Sequence, residues 1–449
     1  MKKFLKITAV IFLSLLIFFV GTFKYRQYNA NRVKLPKQIT SLVKINVDEL
    51  YKSLAANIIS NPAFYFKSDF SKRKDSKFSG FEHGLKIPAS IYLYTLENQP
   101  KSAIFTRLEI KDYNDFENFL KTVTGLRIEK KAGQLKCAKS KPGNFSVYYN
   151  KQVAAIVLSN EINNYDAILA DILIQKDFEE INKYKFGNLI NAHKHICYEM
   201  GTTYAELNFE NGKVNFLNTF NQPVGTILNS GFPHPVADKN STVSFWLNAG
   251  FAKAENKTYK LKNVHVERDS LAKYYKNSLA FEWTNTILQT DSIITYDYND
   301  DFEKVEKVAL QKKEIPDFVV NIAADVKGLK NYLSHQNIIN PDGGTLNKAA
   351  FPLYKVLVSN TDKELVLSTK QHHKTATKTA KTDDFFALNV NFIKLNKQLN
   401  QPLTTRYFKN LTQLTMSGKA SNTGEIKIEG KLSMVNRDIN SLFQLLNSL

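Results

Sequence analysis

The stretch SIYLYTLENQPKSAIFTRLEIKDYNDFENFLKTVTG, residues 90–125, decides the fold. Ile91 to Leu96 reads as a strand, Pro100 breaks it, and Ala103 to Ile110 alternates with Ile104, Leu108 and Ile110 on one face. A helix is expected next. Asn114 is placed to cap it with Glu117 three residues on, Phe116, Phe119, Leu120 and Val123 form an apolar stripe, and Gly125 ends it. Strands follow near Arg127 to Lys130, Gln134 to Ala138 and Phe145 to Tyr149, separated by Gly133 and by Pro142-Gly143, and Val153 to Leu158 reads as a buried strand. That strand feeds a helix in which Ile162, Tyr165, Ile168, Leu169, Ile172 and Leu173 recur at helical spacing. Runs of strands interrupted by single helices describe antiparallel sheets with helices packed on one face, an α+β fold rather than a doubly wound one.

Toward the C-terminus, residues 221–242 hold three prolines, two glycines and no apolar periodicity, the composition of a linker. Beyond it the vocabulary returns. Strands are expected at Val243 to Leu247, Ser292 to Tyr298, Phe318 to Ile322 and Phe386 to Val390, with helices carrying Val326, Leu329 and Leu333, then Leu395 and Leu399. Glu425 to Met434 alternates as a strand, and Asn436 or Asp438 is placed to cap a short final helix. An apolar-Asn-apolar triplet closes strands at Ile45-Asn46-Val47, Leu247-Asn248-Ala249, Val320-Asn321-Ile322 and Leu388-Asn389-Val390, which is the mark that two related units would leave. The expected division is 1–37 as anchor and basic juxtamembrane segment, 38–220 as one α+β unit, 221–242 as linker and 243–449 as the second unit.

Toward the N-terminus, Thr40 to Leu54 reads as a strand running into an amphipathic helix. Residues 7–23 are 17 consecutive uncharged residues, ITAVIFLSLLIFFVGTF, flanked by Lys2, Lys3 and Lys6 and by Lys24 and Arg26. At 1.5 Å per residue they are just long enough to span roughly 30 Å of hydrocarbon, with flanking lysines able to snorkel. No small-x-small cleavage site follows, so a retained signal anchor is expected rather than a removed signal peptide. Lipidation is excluded, because it needs a cysteine just after the apolar run and the first is Cys137. Basic residues flank both sides of the run, so charge alone does not orient it. A single-pass inner-membrane protein with its bulk extracytoplasmic, in the periplasm, is the expectation.

The chain has 449 residues, more than one ordinary core, and its 43% hydrophobic and 12% aromatic content excludes a disordered chain. Of its net charge of +19, eight charges fall in residues 1–37, leaving eleven spread over the rest. An anionic lipid, an acidic polysaccharide or an envelope protein would suit such a surface. Nucleic acid would not, since there is no basic helix and no aromatic RNP-type strand. Cys137 and Cys197 allow one bridge at most, and buried free thiols are their expected state.

The order of the anchor, SLVKINVDELYKSL (41–54), IPASIYLYTL (87–96), TRLEIKDYNDFENFLKTVTG (106–125), VAAIVLSN (153–160) and GKLSMVNRDINSLFQLL (430–446) resembles uncharacterised membrane-anchored envelope proteins of Bacteroidota, domains of unknown function. The resemblance is one of layout. It implies an envelope location and repeated sheet-and-helix units, and it implies no activity.

Catalytic motifs were sought by their mechanics. Gly-x-Ser-x-Gly, the Walker loop and His-Glu-x-x-His are absent from the sequence. Ser270-Leu-Ala-Lys273 matches Ser-x-x-Lys without its companion elements. His193, His195 and Cys197 would share one face of a strand and could offer zinc two imidazoles and a thiolate, but a fourth ligand is missing. Asp297, Asn299 and Asp301 begin like a calcium loop, which fails at Phe302 and Val308. No catalytic residue, metal or cofactor is therefore expected. The leading expectation is a non-catalytic membrane-anchored envelope scaffold or interaction protein, the alternative a lipid- or glycolipid-binding envelope module, and the third an enzyme with a site dispersed over loops.

Overall fold

The computed structural model describes residues 21–22, 24–67, 82–131, 135–184, 186–223, 226, 228, 233–250, 257–261, 264–298, 302–371, 379–399 and 401–447. The chain forms two compact units, Met1–Thr219 with Asp438–Phe443, and Phe220–Arg437 with Gln444–Leu449. Both are α+β, built on antiparallel strands.

Unit 1 opens with a helix over residues 24–30, α1, and the strands β1 (Lys34–Pro36) and β2 (Ile39–Asn46). Helices α2 (Val47–Ser60) and α3 (Pro62–Lys67) follow, then β3 (Ser90–Leu96) and β4 (Ile104–Glu109). Next come α4 (Tyr113–Asn118), β5 (Arg127–Lys130), β6 (Lys136–Lys139), β7 (Phe145–Tyr149), β8 (Val153–Leu158) and α5 (Asp166–Leu173). The unit continues through β9 (Phe178–Glu180), α6 (Gly187–Ile190), β10 (Ile196–Met200), β11 (Thr203–Glu210) and β12 (Lys213–Asn221). Antiparallel pairing gives one sheet in the order β5-β6-β7-β8-β4-β3-β2-β10-β11-β12, while β1 pairs separately with β9.

Burial follows the pleat on β3, where Ser90, Tyr92 and Tyr94 are buried and the residues between them are half-buried. Tyr94 stacks on Phe105 of β4, and Phe105 meets Tyr165 edge-on below α5. Deleting a ring this deep costs about 3–5 kcal/mol. On β4 the expected face is displaced: Phe105 is fully buried while Ile104 is exposed, because the neighbouring strands β3 and β8 place the core opposite Phe105.

Local capping differs from the sequence expectation in two places. Asp112, not Asn114, caps α4 by accepting from the Asp115 N–H, and the helix passes into a π-turn over Phe119–Val123. Glu117 is thereby released from capping and accepts hydrogen bonds from Tyr113, Tyr149 and Lys136. Gly84 has φ +67°, and a Cβ there would meet Asp112 O and Phe116 N at 2.3 Å, so the approach of this loop to α4 requires glycine. The last helix of the chain, Ser441–Leu446, is capped by Asn440, whose Oδ1 accepts from the Leu442 N–H at 3.0 Å, and not by Asn436 or Asp438. Residues 438–443 belong to unit 1 because Asn57 binds them from both ends: its Nδ2 donates to Asp438 O and its Oδ1 accepts from the Asn440 N–H, each at 2.8 Å.

Unit 2 contains β13 (Pro233–Pro235), β14 (Val243–Leu247), β15 (Thr258–Leu261), β16 (Val264–Glu267) and α7 (Arg268–Tyr274). Two long strands, β17 (Tyr275–Tyr298) and β18 (Lys304–Ala324), precede α8 (Val326–His335), whose cap Asp325 accepts from the Gly328 N–H. The unit continues with β19 (Leu357–Asn360), β20 (Glu364–Ser368), β21 (Thr379–Lys381), β22 (Asp384–Asn391), α9 (Phe392–Leu399), α10 (Pro402–Phe408), β23 (Leu411–Ala420) and β24 (Glu425–Met434). Its sheet runs β19-β20-β18-β17-β14-β22-β23-β24, all antiparallel. Leu329 of α8 packs with Leu365 and Ile339, and Phe392 and Leu395 of α9 pack with Leu411 and Met434.

The expected span 7–23 lies, apart from residues 21 and 22, outside the described residues. Among the described residues no helix is long and apolar enough to cross a membrane. Residues 24–37, expected to lie between anchor and body, are part of unit 1: Ala30 and Leu35 are buried and β1 pairs with β9. The stretch 221–242 falls within unit 2, where β13 pairs with β21 and the Thr242 N–H donates to Trp283 O.

Candidate functional site

Unit 1 contains a cleft of about 390 Å³ at the meeting of α1, β1, the loop before β3, and strands β3 and β4. The size is within the range of small-molecule sites. Each wall has a local cause. On α1, Arg26 is fixed by a bidentate contact with Asp48, Nη2 to Oδ1 at 2.9 Å and Nε to Oδ2 at 3.1 Å, and Nη2 also reaches Ile87 O at 3.2 Å. Asp48 lies in the first turn of α2, where the helix dipole favours a carboxylate, and Gln27 bonds Glu49 beside it. The Asp48 contact raises the Arg26 pKa. Arg32 lies 4.3 Å over the Tyr28 ring.

The floor comes from the alternation of β3. Tyr92 and Tyr94, 5% and 2% exposed, both line the cleft, and neither hydroxyl has a hydrogen-bond partner. Ser90 Oγ lies near enough to Tyr92 to lower its pKa, but its hydrogen bond is the one it donates to Asn46 Oδ1 at 3.1 Å. Burial raises the pKa of both phenols, so both remain protonated donors at neutral pH. From β4, Arg107 is half-buried, and its Nε donates weakly to Leu173 O at 3.4 Å. Burial lowers its pKa, with Glu109 and Tyr94 opposing the effect.

Five cationic residues line the cleft, Arg26, Arg32, Lys34, Lys86 and Arg107, against one carboxylate, Glu109. Glu109 is already bound by Lys86 at 2.6 Å. Val33, Leu35, Ile87, Pro88, Ile91 and Leu108 add apolar wall. The chemistry on offer is donation to an anion beside an apolar surface.

The residues singled out from sequence lie elsewhere. His195 and Cys197 share a buried face, but His193 is exposed and does not join them as expected, because β10 begins only at Ile196 and the residues before it turn. His195 Nδ1 accepts from the Phe209 N–H at 2.8 Å, so this nitrogen is committed to the backbone, and burial lowers its pKa. Cys197 and Cys137 are free and buried, with raised thiol pKa values. Among the described residues no group of three or more His, Cys, Asp or Glu side chains is arranged for a metal. Ser270 donates to Glu267 at 3.0 Å, and Lys273 lies 5.4 Å over the Tyr274 ring. Of the calcium-like run, Asn299 and Asp301 lie outside the described residues. Tyr92, Tyr94 and Arg107 escaped the sequence reading because each sat inside a strand already explained by its apolar pattern. A guanidinium on a central strand was the one available signal.

No protein-family model matches the chain, and no curated protein matches it. Solved structures similar to part of it include crystal forms IV and III of TP0453, each at 10% identity. They cover 44% and 45% of this chain and 84% and 88% of that one, with TM-scores of 0.28 and 0.27. Scores this low leave the fold of the chain unassigned to that of TP0453.

Proposed function

We propose that this protein is a non-catalytic, membrane-tethered envelope protein that works by holding an anionic partner in the cleft of unit 1. One observation carries the reading: the cleft gathers two unpartnered tyrosine hydroxyls and five cationic residues, of which Arg26 and Lys86 are ion-paired to Asp48 and Glu109, while Arg32, Lys34 and Arg107 add further positive charge. Such a lining binds charge; it offers no free general base or activated nucleophile, which acid–base or covalent catalysis requires. Location supports it as well. The first cleft residue, Arg26, follows the apolar run 7–23 by three residues, so a tether there would hold the cleft next to a membrane surface. The body is extracytoplasmic in this reading.

Topology tests it directly. Alkaline phosphatase fused after Leu449 is expected to be active, and the chain to remain in the membrane fraction after high-salt washing. A fluorescent protein that matures only in the cytoplasm should stay dark at the same position. A bright fluorescent fusion with an inactive phosphatase would overturn the envelope placement.

A further inference from the structure

We propose that the unit 1 cleft is a binding site for an amphiphilic organic phosphate, whose phosphate oxygens accept from Arg107 and Tyr94 while its apolar part lies along Ile87, Pro88 and Ile91. The proposal rests on the reading of the cleft as a holding site and adds the class of ligand.

Three observations converge on it. The first is an unmet need. The Tyr94 hydroxyl is buried without a partner in a residue that lines the cleft, and a buried hydroxyl left so costs about 1–3 kcal/mol. The ring alone makes the stacking contact with Phe105, and the hydroxyl adds nothing to it. A phenylalanine would pack as well. The second is an under-compensated charge. Arg107 is half-buried beside Tyr94, its field acts on that phenol, its hydrogen bond to the Leu173 carbonyl is long, and the carboxylate that acts on it, Glu109, is already ion-paired with Lys86. Its planar fork matches two phosphate oxygens. A phosphate held there supplies the acceptor that the Tyr94 hydroxyl lacks and gives Arg107 a countercharge it does not share with Lys86.

The third is the mixed lining. Arg32 and Lys34 stand exposed at the cleft and add charge, whereas Ile87, Pro88 and Ile91 present a wall that a bare inorganic anion would leave uncovered. A carboxylate would satisfy one donor pair, but a phosphate mono- or diester brings more acceptor oxygens to a site with this many donors. Two sources share this chemistry: the headgroup of an anionic phospholipid and a free organic phosphate. They differ in whether an acyl chain contributes.

The test uses the full chain purified in a neutral detergent and calorimetric titration. The ligands are dihexanoyl phosphatidic acid, glycerol 3-phosphate, inorganic phosphate and dihexanoyl phosphatidylcholine. The expected result is saturable binding of the phosphatidic acid, at least tenfold tighter than of inorganic phosphate or of the phosphatidylcholine. Glycerol 3-phosphate binding at least tenfold more weakly supports a lipid headgroup; equal binding supports the same site filled by a free phosphate. Arg107→Met is expected to weaken binding at least tenfold, and Arg107→Lys less. Tyr94→Phe is expected to weaken it several-fold while leaving the ligand-free melting temperature unchanged or raised, a combination a purely structural tyrosine would not give. If none of the phosphates binds saturably, or if Arg107→Met and Tyr94→Phe bind as the wild type does with an unchanged fold, the proposal is overturned. A failure here with a correctly translocated, membrane-retained body removes the ligand and leaves the envelope reading standing. A cytoplasmic body with intact binding does the reverse.

Discussion

Asn46 and Asn248 close strands with the same apolar-Asn-apolar triplet, one in each unit, yet their amides are used differently. Both accept from a serine on the neighbouring strand, Ser90 at 3.1 Å and Ser278 at 3.0 Å, and both donate their backbone N–H to a carbonyl in a loop or strand distant in sequence. The difference is at Nδ2. In unit 1 it donates to Ala192 O at 3.1 Å and to Lys194 O, in a loop that also gives its Leu189, Ile190 and Ala192 carbonyls to the buried amine of Lys44. In unit 2 the Asn248 Nδ2 is buried with no partner. At Asn46 and Asn248 the triplet stands at a strand end, whereas Asn321 and Asn389 lie within β18 and β22, and in unit 1 its energetic weight depends on carbonyls delivered by a loop some 146 residues away.

The largest effect expected from this contrast is on unit 1. Asn46→Ala takes the amide donor from the Lys194 carbonyl and the acceptor from the Ser90 hydroxyl, while the Ala192 carbonyl keeps its bond from Lys44, a loss of about 2 kcal/mol. Hydrogen exchange resolved to β2 and β3 should show it as faster opening, a better measure than one melting temperature in a chain of two units.

The intermediate effect is one of pH. His195 sits in the same loop, and burial places its folded-state pKa below the unfolded value of about 6.5. The unfolded chain therefore takes up the proton first, so the contribution is whole above the unfolded value and is lost as pH falls through the folded one. The opening equilibrium of β10 and β11, taken from exchange rates divided by the intrinsic rate at each pH, should rise on acidification below about pH 6.5, and His195→Gln, which keeps an acceptor but does not titrate, should flatten that response. An unaltered acid response in the variant would assign it to other groups.

The smallest effect belongs to unit 2. Asn248→Ala removes one hydrogen bond and an unmet NH₂ together, and it should change exchange in β14 by less than about 1 kcal/mol. Opening of β14 comparable to that of β2 in the Asn46 variant would break the comparison.

Much of the scaffold was readable where one face alone is buried or a turn residue punctuates. The strand limits at Val243–Leu247 and Glu425–Met434, and the helices around Leu329 and Leu395, follow from periodicity and flanking polar residues. The hairpin β11–β12 was not, because TYAELNFE and KVNFLNTFN are half-buried at nearly every position and carry no clean alternation. Nor was the face of β4, since a strand with neighbours on both sides and cover above and below blurs the period that reveals an edge. The cleft was unreadable for a further reason. Arg26, Tyr94 and Arg107 are separated by as many as 81 residues, and what singles out Tyr94 is a buried hydroxyl without a partner, which only the packed chain defines.

A crystal structure of the chain grown with dihexanoyl phosphatidic acid, at a resolution that separates a phosphate from water, tests the cleft most directly. The expected density places phosphate oxygens within about 3 Å of both the Tyr94 hydroxyl and the Arg107 guanidinium, with an acyl chain against Ile87 and Ile91. Ordered waters alone on the Tyr94 hydroxyl, with the lipid absent from the cleft or bound elsewhere, would contradict it.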